Sequence, residues 1–266
     1  MIRADGMQRA RGLAILTALS AALALGGCAG EQLLAAGGAS VETTATGSSN
    51  ASAYGGATPQ SEMNDATVGP REVIANPSVG EIMQTGTLPE MAYGRADAPV
   101  TVIKYMSLTC PYCRKFHQEV WPELKKRYVD SGKVRFIYRE FPIGKTSGNA
   151  TIALRCAAPD KYLDLYGRFL DQQATWVSQE VRPDAIFAVA KQVGITRDQF
   201  DACLKNQAMI DGLKWVKDRG RTLGIIGTPN FFVDGKLVKR VLSLADMSAQ
   251  IDAALATRGG VAAAGR

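Results

Sequence analysis

Two cysteines three residues apart lie in the run Ser107-Leu108-Thr109-Cys110-Pro111-Tyr112-Cys113-Arg114-Lys115-Phe116, directly after the apolar stretch 100–106. A Cys-X-X-Cys where a strand gives way to a helix is a dithiol–disulfide redox motif. Proline suits the first position of a helix, where its missing N–H would have been unpaired anyway, so Pro111 predicts Cys110 as the N-cap residue. The Cys110 sulfur then faces free backbone amides at the positive end of the helix dipole. Both stabilise an anion and hold the thiol below its ordinary pKa of about 8.5. The thiolate is the attacking species, and Cys113, one turn deeper, can resolve a mixed disulfide formed at Cys110. Three other uses of the motif fit poorly. Structural zinc needs four ligands, whereas the chain has one histidine, His117, and no second CxxC. Haem attachment requires histidine where Arg114 stands. A purely structural bond across so short a loop contributes little chain entropy.

The motif needs a strand before it and a helix after it. Residues 100–106 are β-branched and aromatic, as a central strand requires. The helix that follows is expected to reach about Asp130, with Phe116, Val120, Leu124 and Tyr128 on one face and a kink at Pro122. Upstream, residues 81–84 read as a short edge strand, and Ala92-Tyr93-Gly94 as a turn. Residues 133–141 alternate like a strand that Pro142 ends. Helical patterning then covers 149–157, 161–173, 183–193, 196–206 and a run through Ile210, Leu213 and Val216 toward Gly220. Thr196 and Gln199 fit a capping box. Asp234-Gly235 predicts a hairpin between 230–233 and 236–241, and 245–255 a closing helix. Strand, helix, strand, helical block, hairpin and helix, in that order, make an α/β thioredoxin fold with a helical domain inserted at about 145–222.

The chain has 266 residues and is 46% hydrophobic, enough for a proper core. Its charge of +6 is spread along helical stretches rather than gathered among aromatics, which argues against a nucleic-acid surface. The first 27 residues combine Arg3, Arg9 and Arg11 with an apolar run at 12–25, too short to span a bilayer and suited to a signal peptide. They end in Leu25-Gly26-Gly27-Cys28, which resembles the bacterial lipoprotein box. Cys28 is therefore expected to be the lipid-modified first residue of the mature protein. The alternative is an ordinary secretory signal that leaves a free thiol. Residues 28–69 are rich in Ala, Gly, Ser and Thr and lack apolar periodicity, as in a flexible tether with a root-mean-square reach of about 35 Å. The folded domain is expected at 70–256 and a loose tail at 257–266.

At this point the chain resembles the DsbA family of thiol–disulfide oxidoreductases, especially its lipoprotein relatives in Gram-negative bacteria. The likeness rests on Ala98-Pro99-Val100-Thr101-Val102, the Cys110-Pro111-Tyr112-Cys113 motif, Arg139-Glu140-Phe141-Pro142, the helical insertion with Gln172 and Trp176, and Gly227-Thr228-Pro229, and it extends over about 88–256. The resemblance implies that Cys110 is the nucleophile, Cys113 its buried partner, and Pro111 and Tyr112 the dipeptide that tunes the potential. It also implies that Pro229 is a cis-proline and that Thr228 presents its backbone to an extended client peptide. An ordinary turn at Thr228-Pro229 is the alternative. Two departures from the family stand out. Tyr112 replaces a common histidine, which should make a weaker oxidant. Lys104 stands where a buried acid is expected. It shares a strand face with Val102 and Met106, and either points inward toward the sulfurs or snorkels to the surface.

Cys156 and Cys203 remain once the other three cysteines are assigned. Together they suggest a structural disulfide closing a loop of about 47 residues, worth roughly 4 kcal/mol in the chain-entropy model. A second redox pair is the alternative. The expected activity is that of a periplasmic dithiol oxidase with no cofactor beyond its own disulfide. Its substrates would be reduced exported proteins, its re-oxidation would fall to a DsbB-like membrane partner, and it would act as a monomer. Ala29 after the lipid cysteine favours the outer membrane as the site of the anchor. A reductase or isomerase would use the same fold in the opposite direction. Copper handling by Cys110, Cys113 and His117 is the non-enzymatic alternative.

Overall fold

The computed structural model describes residues 72–264. The expected signal peptide, the lipid-modified Cys28 and the tether to Gly69 lie outside the described residues. The first element is helix α1, Val79–Met83, capped by Ser78, whose hydroxyl accepts from the Glu81 amide while the Glu81 carboxylate accepts from the Ser78 amide. This corrects the edge strand expected at 81–84. The Ser-X-X-Glu capping box decides a stretch too short to show its period. Strand β1, Met91–Tyr93, follows, and the turn comes only at Gly94, with φ 89°.

Strand β2, Val100–Met106, feeds helix α2, Pro111–Glu119. The expected long helix is broken into pieces. Beyond Val120 come a single turn, α3, Trp121–Leu124, and a π-helical turn, Lys125–Val129. Pro122 explains the break, since it has no N–H to continue the ladder and its ring crowds the preceding turn. Strand β3, Val134–Glu140, leads into the insertion of six helices: α4 (Gly144–Arg155), α5 (Tyr162–Asp171), α6 (Gln173–Trp176), α7 (Pro183–Ala190), α8 (Arg197–Cys203) and α9 (Gln207–Thr222). The capping box of Thr196 and Gln199 opens α8. Cys156, at the end of α4, is disulfide-bonded to Cys203, the last residue of α8, across 6.2 Å between Cα atoms. Strands β4 (Asn230–Val233) and β5 (Lys236–Val238) form the hairpin, with both turn residues at positive φ, 47° for Asp234 and 84° for Gly235. Such a turn matches the twist of the flanking strands. Strand β5 stops at Val238 rather than 241, a short edge that begins with Lys236 and is followed by Lys239. Helix α10, Leu244–Ala264, runs past the expected end at 255 into the stretch expected to be a loose tail, whose alanines are strong helix formers.

The five strands lie in the order β1-β3-β2-β4-β5, with β2 and β3 parallel and the other pairs antiparallel. A strand in the middle of a sheet covered on both faces reads as a continuous apolar run, which is why residues 100–106 do not alternate. Val102 and Met106 join the larger core with Phe116, Phe136 and the inserted helices, while Ile103 and Tyr105 join Ile82, Phe141 and Phe232 on the other face. Lys104 is the one charged residue of this strand, and it is fully buried.

Candidate active site

The turn between β2 and α2 carries the chemistry. Cys110 has extended backbone angles, φ −78° and ψ 120°, and its sulfur accepts from the Cys113 amide at 3.4 Å, so it is the N-cap of α2. The Cys110 pKa falls to about 6. The largest cause is the Cys113 thiol, which donates to the Cys110 sulfur; the Thr228 hydroxyl and the backbone amides of Cys113 and Tyr112 add to it, against the cost of burial. Cys113 is sealed from solvent, and burial pushes its thiol well above the ordinary range. Two sulfurs three residues apart thus have opposite characters. Cys110 is a stabilised thiolate that keeps a small opening to solvent, 8% exposed, and Cys113 is a protonated thiol sealed inside.

The loop before β4 closes on the same sulfur. The Thr228–Pro229 bond is cis, and the Thr228 carbonyl accepts from the Cys110 thiol at 3.0 Å. The buried Thr228 hydroxyl has no other partner and is available to the sulfur once it ionises. Asn230 holds the loop in shape, its amide nitrogen donating to the Pro229 carbonyl at 2.9 Å. Two large apolar side chains flank this junction in the open, Tyr112 at 57% exposed and Ile226 at 78%.

Three supports were not singled out by sequence reasoning. Gln173, buried at the start of α6, donates to the carbonyls of Leu108 at 2.7 Å and Cys110 at 3.2 Å, clamping the active-site turn to the insertion. Ser107 pairs its hydroxyl with those of Ser147 at 2.8 Å and Thr109 at 3.2 Å. Tyr166 accepts from Lys104 Nζ at 3.0 Å. The resemblance had pointed one residue away, to Gln172, which instead pairs with Gln192 on the surface. Its other choice, Trp176, is buried and donates to the Phe169 carbonyl.

Lys104 points inward. Its ammonium lies 4.2 Å from the Phe116 ring centre, and burial lowers its pKa to about 8, with the Cys113 and Cys110 sulfurs acting the other way. His117, one turn after Cys113, is held down to about 4 by burial and by Lys104, so its imidazole is neutral at pH 7. Among the described residues no group of three or more His, Cys, Asp or Glu side chains is placed to hold a metal ion.

A family model described as thioredoxin matches residues 86–253. A Rickettsia felis relative, named among the protein-disulfide oxidoreductases, is 27% identical over 201 residues, covering 73% of this chain and 71% of its own length. A relative so named from Rickettsia conorii is 30% identical over 167 residues, covering 60% of this chain and 59% of its own. The chain thus spans less than two thirds of that second relative. Among solved structures, Wolbachia pipientis alpha-DsbA1 superposes with a TM-score of 0.61 at 23% identity, over 67% of this chain and 96% of that one.

Proposed function

The chain belongs to the thioredoxin family, and on that premise we propose that it is a thiol:disulfide oxidoreductase that introduces disulfide bonds into exported proteins. The reading rests on one observation. The low-pKa sulfur of Cys110 lies against the Thr228 backbone and keeps a small opening to solvent, while its partner Cys113 is sealed and protonated.

The cycle begins with the Cys110–Cys113 disulfide. A client thiolate attacks the Cys110 sulfur, the only one of the two within reach of solvent, and a client–Cys110 disulfide forms as the Cys113 sulfur leaves. A second client thiolate attacks the client sulfur of that bond, and Cys110 departs as a thiolate. A leaving thiol of low pKa departs faster, so the helix terminus that stabilises Cys110 drives transfer toward the client. The Thr228 backbone offers an extended client segment a strand-like partner beside Cys110, and Tyr112 and Ile226 offer it apolar area without a sequence requirement. The reduced pair is then re-oxidised by a DsbB-like membrane protein. The signal-like start and the lipoprotein-type cysteine at 28 support a periplasmic protein anchored to the outer membrane by lipid. A disulfide between Cys156 and Cys203 suits the same oxidising compartment.

The test is to mix the oxidised full chain with a reduced, unfolded disulfide protein and, separately, to give the reduced chain insulin. Oxidation of the unfolded protein, abolished in Cys110→Ser, is the expected result. Efficient insulin reduction without oxidation of the first client would reverse the direction proposed.

A further inference from the structure

Lys104 is a buried cation, and among the described residues the charges that act on it are those of the two redox sulfurs. From the helix above it, Cys110, Cys113 and His117 face it; from α5, Tyr166; from the neighbouring strand β3, Tyr138; and from β4 the apolar Phe231. Among the described residues no carboxylate acts on it. Its ammonium donates to the neutral hydroxyl of Tyr166 and lies over the Phe116 ring, and it hydrogen-bonds neither sulfur. His117 is neutral at pH 7, and burial holds the hydroxyls of Tyr138 and Tyr166 protonated. An ammonium taken out of water without an anion costs several kcal/mol. The anion here exists only in the reduced protein, as the Cys110 thiolate. In the disulfide form both sulfurs are neutral and Lys104 has no counter-charge at all.

We propose that Lys104 is the buried proton store of the redox pair, charged when Cys110 is a thiolate and neutral when the Cys110–Cys113 disulfide is formed. The inference rests on the thiol-exchange reading above and deepens it. The reaction then balances without solvent protons. Two client thiols lose two protons and two electrons and become a disulfide. The enzyme S–S bond breaks, Cys110 becomes a thiolate, one proton ends on the Cys113 sulfur, and the other ends on Lys104 Nζ. Because charge is conserved inside the site, no uncompensated thiolate is left beside the apolar core. Lys104 acts through the field it places on the sulfurs and is a positioning residue in that sense.

A consequence follows for the pH dependence of reduction. The two sulfurs raise the affinity of Lys104 for its proton in the reduced protein, so the same group releases it at lower pH once they are joined. Between the two values, just below about 8, reduction takes up two protons per electron pair. On either side of that window, above the Cys110 pKa, it takes up one.

The experiment equilibrates the full chain with glutathione buffers from pH 6 to 9.5 and reads the redox state of the Cys110–Cys113 segment by alkylation and mass. The wild type should show a segment of two-proton slope. Lys104→Met, which keeps an unbranched side chain over Phe116, should show one-proton slope at every pH above its Cys110 pKa and an equilibrium shifted about tenfold toward the disulfide at pH 7, equivalent to about 30 mV. Should Lys104→Met not fold, Lys104→Gln and the wild-type slope carry the test. One-proton slope at every pH above the Cys110 pKa in the wild type, or equal constants in wild type and variant, overturns the proton store while leaving thiol exchange intact. Failure of the wild-type pair to exchange with glutathione at all removes the underlying reading, and the inference with it.

Discussion

Two neighbouring strands each bury positive charge, and they handle it in opposite ways. At the end of β3, Glu140 receives two hydrogen bonds from Arg155, one of them at 2.8 Å from Nη2, and a third from the Tyr162 hydroxyl at 2.8 Å. Close by, Arg139 donates to Glu90 at 2.8 Å, to the Ile82 carbonyl at 2.6 Å and to Tyr105. Every ion there has its partner. On β2, paired in register with Tyr138, Lys104 has a hydroxyl, an aromatic face and two sulfurs. The paired cluster is what a stable fold makes of unavoidable buried ions. The unpaired lysine destabilises the fold and is intelligible only through the sulfurs above it.

The largest effect is expected at the paired cluster. Glu140→Ala leaves Arg155 charged and buried and is expected to cost about 3–5 kcal/mol in urea unfolding. The redox equilibrium of Cys110 and Cys113 should stay unchanged in that variant. Replacing Cys156 and Cys203 together by alanine should cost about 2–4 kcal/mol, measured the same way. It too should leave the redox equilibrium in place; a shift there would make the second cysteine pair part of the redox chemistry.

Smaller effects sharpen the site itself. Gln173→Ala strips the Leu108 and Cys110 carbonyls of their donor and should cost about 1–3 kcal/mol. Burial and clamping predict that amide exchange in the 107–112 turn rises with it. The depressed pKa of Cys110 sets a pH dependence. The unfolded reduced chain holds the Cys110 proton up to its ordinary value, while the folded one releases it near 6. Between those values the unfolded state binds more protons at Cys110, so the reduced form gains stability over the oxidised form as pH rises from about 6 until Lys104 begins to lose its proton in the oxidised form, and it loses that gain as pH falls through 6. Melting temperatures of both forms across this range check the sign. The smallest change is Thr228→Val, which removes a hydroxyl with no partner other than the thiolate. The midpoint for Cys110 alkylation should rise by about one pH unit, the equivalent of about 1.4 kcal/mol.

Much of this site was legible in the linear chain because its determinants are local. Proline at 111 announces the helix start, the helix start makes Cys110 the N-cap, and the N-cap makes a thiolate. The hairpin at Asp234-Gly235 is equally local. Gln173 was not legible, since nothing in a polar residue at a helix start tells that it will reach carbonyls 63 and 65 residues away. The direction of Lys104 was open for a related reason. Strand alternation put it on the face of Val102 and Met106, but a long flexible side chain can leave such a face for solvent, and only the cover of α2 and α5 keeps it in. Helix α1 was misread because four residues carry too little periodicity, although the Ser78–Glu81 capping signal was present. The break at Pro122 was anticipated as a kink. Its resolution into a short helix and a π-helical turn depends on how Trp121 and Tyr128 settle into the core.

The helix terminus and Lys104 together favour the reduced pair and so make its disulfide an oxidant. The measurement that meets this most directly is the reduction potential of Cys110–Cys113 at pH 7. A value between about −120 and −180 mV, the range from DsbA to protein disulfide isomerase, is the expected result. A value near about −270 mV, like that of thioredoxin, would contradict it and make this protein a reductant of its clients.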